Sequence, residues 1–186
     1  MKRRTVLGAS ASALAGLAGC LGLGGGGDAT AADGEDPNPA DGYPPAFDSV
    51  PDAGGFSESE FESLDRDGET VTLAPIEAVH NWYRRREARF VDARSATAYR
   101  KSHIYGAVSS PVQTSIEESP VGNWGTEERI VCYCGCPHHL SSIRAATLQS
   151  AGYTNVYVLD EGFYAWRDAG YLLAGDEVSG TPAAWS

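Results

Sequence analysis

The chain has 186 residues, 42% of them apolar, and a formal net charge of −11. That length accommodates one domain with its own core and little beyond it. Residues 70–186 carry twelve acids against ten Lys or Arg, so the segment able to fold is near neutral and has no basic stripe; a nucleic-acid partner is excluded.

Met1-Lys2-Arg3-Arg4 sets paired arginines ahead of a run of small and apolar residues over 9–17, too short to span a bilayer stably. The run ends in Leu17-Ala18-Gly19-Cys20, which resembles a lipobox. Together they predict a twin-arginine lipoprotein signal peptide over 1–19 and lipidation of Cys20. The protein is then expected at the cell membrane, lipid-anchored and facing the exterior. The plainer alternative is a free cysteine in a leader.

From 20 to 69 the composition changes. Gly24 to Gly27, Pro37, Pro39, Pro44 and Pro45, and thirteen acids between residues 28 and 69 against Arg66 alone describe a solvated tether without long apolar periodicity. Phe47, Phe56, Phe61 and Leu64 leave open a helical turn near 58–64 docked on the domain, but the stalk is the preferred reading. Lysine is limited to Lys2 and Lys101. A halophilic, acidic and lysine-poor surface fits this, as does a GC-rich genome.

The domain is expected over 70–178, with a tail over 179–186. Its elements in order are a strand over 70–73, a helix from Pro75 to about 86 with Ile76, Val79 and Tyr83 on one face, and a strand over 90–92. A short helix over 96–100, a strand at 107–108 and a helical turn over 112–117 follow. A central strand over 130–133, a helix over 141–150, a strand over 156–159 and a helix over 163–169 stopped by Gly170 complete the set. Strands alternating with helices indicate an α/β domain with a mostly parallel sheet flanked by helices.

Between the central strand and its helix lies Cys132-Tyr133-Cys134-Gly135-Cys136-Pro137-His138-His139-Leu140-Ser141. A cysteine at a strand end, ahead of a helix N-terminus, sits where backbone N–H groups favour an anion, so Cys134 is expected as a thiolate nucleophile. Gly135 to Ser141 would form the substrate-binding loop, with His138 and His139 able to attract an anion or relay a proton. Pro137 removes one N–H from the cradle. Cys132, two residues earlier on the strand, is expected in packing, although alternation sets it on the same face as Cys134 and leaves a thiol pair open.

The segment from about 71 to about 171 resembles the rhodanese-like family. The likeness rests on Asp92-Ala93-Arg94 with His103-Ile104-Tyr105-Gly106-Ala107, on the Cys134 loop, and on Asn155 to Leu159 followed by Glu161-Gly162-Phe163-Tyr164-Ala165-Trp166. The resemblance implies a three-layer sandwich, Cys134 as the sulfur-carrying residue, and Asp92 and Arg94 as its structural support. Ser102 stands where the family usually has glycine. Ser141 follows Cys134 by seven positions instead of six, so the loop is one residue longer. Loops of that length occur in related Cys-x5-Arg phosphatases, but the position of their arginine is Leu140 here, which disfavours phosphate-ester chemistry.

The leading reading is a surface-anchored sulfurtransferase passing sulfane sulfur from thiosulfate or another persulfide donor through a Cys134 persulfide to a thiol acceptor, either a small molecule or a protein. No cofactor is expected. Two alternatives stand beside it. One is a metal or thiol-redox module in which Cys132, Cys134, Cys136 and His138 bind Cu(I) or Zn(II), although such ligands are cramped. The other is an inactive fold that docks partners.

Overall fold

The computed structural model describes residues 41–178; the leader, Cys20, the first half of the predicted tether and the tail lie outside them. The chain enters its sheet through an antiparallel hairpin of β1 (Glu62–Arg66) and β2 (Glu69–Ala74). Asp67 and Gly68 join the strands with φ of 51° and 90°, the two-residue geometry that Asp-Gly favours. Then come α1 (Ile76–Arg85), β3 (Arg89–Asp92), α2 (Ala96–Lys101), β4 (His103–Ile104), β5 (Val108–Ser109), β6 (Ile130–Tyr133), α3 (His139–Ser150), β7 (Val156–Leu159), α4 (Gly162–Asp168) and β8 (Leu173–Ala174).

The main sheet runs β1-β2-β7-β6-β3-β5, parallel except for the β1–β2 edge, and β4 pairs with β8 in a small antiparallel ribbon. Alternation along the buried strands divides the core. Ile130, Cys132, Val91 and Val158 pack with Ala145, Ala146 and Leu148 of α3 on one face. Val131, Tyr133, Phe90 and Leu159 pack with Val79, Tyr83, Phe163 and Trp166 of α1 and α4 on the other. This is the three-layer α/β sandwich that the sequence predicts. Among the described residues no helix is long and apolar enough to cross a membrane.

Three expectations are corrected. The predicted tether ends before Glu69: Phe47 is 9% exposed and meets Tyr83 edge-on at 5.7 Å, Phe90 N donates to Gly42 O (2.7 Å), and Glu58 pairs with Arg129 (2.6 Å). A few apolar residues in an acidic stretch cannot form a core of their own, but they can complete one that other elements have built. Residues 58–64 form a 3-10 turn, Glu58–Glu60, followed by the start of β1. The helical turn expected over 112–117 is a set of simple turns; a 3-10 turn comes later, at Pro120–Asn123, where the Ser119 hydroxyl accepts from Val121 N (3.3 Å) and Pro120 needs no N–H partner.

Candidate active site

Residue Cys134 lies at the carboxyl end of β6, between β7 and β3 in the middle of the sheet. In a parallel sheet this is where ligands are held, because the strand ends and the helix N-termini converge there. Its side chain is 1% exposed. The thiol donates to the carbonyl oxygen of Cys136 (2.8 Å), and Sγ is 3.3 Å from the hydroxyl of buried Ser141. Where N–H groups are expected around the sulfur, the structure thus sets the carbonyl oxygen of Cys136 against it.

The helix begins at His139, two residues earlier than predicted, so His139, Leu140 and Ser141 form the first turn of α3 and the loop proper is 134–138. Gly135 and His138 are half-buried, and Cys136, Pro137 and His139 are exposed. Leu140 is half-buried and leaves the loop without a guanidinium. His138 caps the helix through its backbone in a left-handed conformation (φ 63°), and Ser142 holds its carbonyl oxygen through both N–H (3.2 Å) and hydroxyl.

The other wall is the start of α4. Phe163 N donates to Cys134 O (2.8 Å), and Gly162 has a φ of 76°. A Cβ on Gly162 would lie 3.1 Å from Cys134 O and 3.3 Å from the Cys136 carbonyl, so glycine is what lets α4 approach the loop. Tyr164, half exposed, lies over Gly135.

Asp92, at the end of β3 beside Tyr133, is fully buried and accepts from Arg94 N (2.9 Å), Nε (3.0 Å) and Nη2 (2.7 Å). Arg94 also donates to Ser102 O (2.6 Å), and its guanidinium lies 3.8 Å over the Phe163 ring. Burial works against the Arg94 charge, but the hydrogen bonds and charge of Asp92 outweigh it and raise the arginine's pKa. The pair braces two adjacent strand ends and α4. Cys132 sits in the α3-side core with no exposed surface, where burial pushes its thiol up to about 12. At neutral pH it is an inert packing residue.

Two residues of the site escape sequence reasoning. Asp160, directly after β7, contacts His138 through Oδ1 and Nε2, with both side chains 32% exposed. Its signal is position alone, an acid at the carboxyl end of the strand next to β6. Arg144, one turn beyond Ser141, is 1% exposed and donates to the backbone oxygens of Ser110 (3.0 Å), Pro111 and Thr114 (2.7 Å). It ties the 110–114 segment to α3, and no charge pattern on a helical sequence reveals that.

The four residues of the metal alternative do not converge. Cys132 is in the core, Cys134 is turned to the Cys136 carbonyl, the Cys136 side chain is exposed, and His138 is on Asp160. Among the described residues no group of three or more His, Cys, Asp or Glu side chains is placed to hold a metal ion.

The family described as Rhodanese-like domain matches residues 76–169. Thiosulfate sulfurtransferase GlpE of Pseudomonas entomophila is 34% identical over 77 residues, which are 41% of this chain and 68% of that protein. Among solved structures, the rhodanese-like domain of the Alr3790 protein from Anabaena sp. superimposes with a TM-score of 0.52 at 23% identity, covering 60% of this chain and 85% of that one. The BH2092 protein from Bacillus halodurans gives 0.50 at 24% identity, covering 58% and 84%.

Proposed function

Because this chain belongs to the rhodanese-like domain family, we propose that it is a sulfurtransferase that carries sulfane sulfur on Cys134. The observation carrying this reading is the placement of Cys134: within the matched segment, it is the cysteine at the end of the central strand, on the loop that leads into α3. In the first half-reaction the Cys134 thiolate attacks the outer sulfur of thiosulfate. A sulfur–sulfur bond forms to Sγ, the bond to the sulfonate sulfur breaks with its electron pair, sulfite leaves, and a persulfide anion remains on the enzyme. In the second, an acceptor thiolate takes the outer sulfur and the Cys134 thiolate is regenerated.

Once the Cys136 carbonyl has turned away, the N–H groups of 135, 136, 138 and 139 and the α3 terminus supply the positive field for this anion. Pro137 has none to give. Ser141 Oγ, 3.3 Å from Sγ, is the hydroxyl donor nearest the charge. With Leu140 in place of a guanidinium, a singly charged persulfide suits this cradle better than a phosphate dianion.

Mass spectrometry of the domain after thiosulfate treatment tests the reading. Wild type is expected to gain one sulfur on the peptide containing Cys134, and Cys134→Ala to gain none. Equal loading of Cys134→Ala rejects it.

The same reading puts the enzyme at the outer face of the cell membrane, supported by Arg3-Arg4, the apolar run over 9–17 and Cys20. Cys20→Ser is expected to release the protein from the membrane fraction, and Arg3→Lys with Arg4→Lys to hold it inside. Full-length wild type starting at Met1 in the cytoplasmic fraction overturns the anchor.

A further inference from the structure

We propose that His138 and Asp160 are the proton-handling pair of this site: Asp160 orients the imidazole, and His138 removes the proton of the incoming acceptor thiol. The inference rests on the sulfurtransferase reading and concerns its second half-reaction.

The geometry has three parts. His138 Nε2 is in direct contact with Asp160 Oδ1. A carboxylate can only accept, so Nε2 carries the hydrogen and Nδ1 keeps the basic lone pair. His138 also holds a positive φ, 63°, that side-chain-bearing residues adopt at a cost, and Ser142 bonds its carbonyl through both N–H and hydroxyl. The two Ser142 bonds hold that conformation at the edge of the loop. Third, Asp160 is itself anchored, its N–H donating to Ala74 O (3.0 Å), so the carboxylate belongs to the rigid sheet and not to the loop.

Exposure adds the functional step. Cys134 is 1% exposed, while the side chains of His138 and Asp160 are each about one-third exposed. The imidazole and carboxylate are therefore open to an acceptor in solvent, whereas the sulfur is covered. The acceptor thiol gives its proton to Nδ1 and becomes a thiolate, and Asp160 stabilises the imidazolium. The thiolate then forms a bond to the outer sulfur of the persulfide anion, whose bond to Sγ breaks with its electron pair. The imidazolium then gives its proton to solvent. One thiol and one enzyme persulfide anion have become one acceptor persulfide anion, one Cys134 thiolate and one released proton.

Both residues are tested by a comparison of acceptors. Wild type, Asp160→Asn, Asp160→Glu, His138→Gln and His138→Asn are loaded with thiosulfate, and persulfide loss at pH 8 is followed with 2-mercaptoethanol, which has a proton to remove, and with sulfite, which has none. Asparagine is included because it tolerates the left-handed backbone. The ratio of thiol rate to sulfite rate is expected to fall by at least about tenfold in Asp160→Asn and both His138 variants, the scale of general-base catalysis, and to recover in part in Asp160→Glu. Rates that fall together for both acceptors, or a ratio equal to that of wild type, overturn the pair while leaving the sulfurtransferase reading standing. Wild type that never loads overturns both. A variant that melts early or loads poorly is read by the same ratio on its loaded fraction.

Discussion

Gly162 is the residue on which the site's shape turns. The left-handed backbone there lets the Phe163 N–H bind the Cys134 carbonyl, and a side chain would press tightly on the Cys134 and Cys136 carbonyls. Gly162→Ala is expected to cost about 1–2 kcal/mol of stability from the backbone alone and to slow thiosulfate loading, because the loop must move off the added methyl. Thermal melting with loading kinetics checks this, and an unchanged melt removes the argument. At this scale the sequence reveals Cys134 through strand, loop and helix in succession. Alternation sets Cys132 and Cys134 on the same face, and only the structure shows Cys132 within the α3-side core and Cys136 exposed. The His138–Asp160 contact is hidden because its partners are 22 positions apart, one at the start of α3 and the other just after β7.

Among the elements, α1 carries a pH-dependent contact. His80 stacks on Tyr171 with 3.7 Å between ring centroids and meets Trp166 edge-on at 5.6 Å. Burial, aided by the charge of Arg84, lowers its pKa to about 4. An unfolded histidine titrates at about 6.5, so between these values the unfolded chain binds a proton that the folded one refuses. Stability contributed by neutral His80 is thus present above about pH 6.5 and is lost as pH falls toward 4. In His80→Gln the drop of melting temperature between pH 7 and 4.5 is expected to be shallower than in wild type; parallel curves contradict the assignment. The β1–β2 hairpin shows what composition conceals. Asp67-Gly68 is a strong turn signal, but it sits among acids that read as a tether. β1 is an edge strand with no fully buried residue, so it has no apolar run to announce it.

For the whole molecule, the segment before β1 behaves as part of the domain. A chain starting at residue 62 loses the buried Phe47 ring, the Gly42–Phe90 hydrogen bond and the Glu58 contacts with Arg129 and Tyr157, all of which a chain starting at 41 keeps. Its stability is expected to be lower by roughly 3 kcal/mol, mostly from Phe47 burial, as read by denaturant unfolding of the two. Equal midpoints return this segment to the tether. The alternation of strands with helices, the central strand, the place of Cys134 at its end and the α1, α3 and α4 helices are determined by the sequence itself, because each follows from local periodicity or from a strand-to-helix junction within a few residues. The strap over 41–61, the edge hairpin, the partner of His138 and the buried Arg144 are decided only by tertiary structure. Each depends on surfaces or strand ends brought together from distant positions, and no local pattern records what lies across the fold.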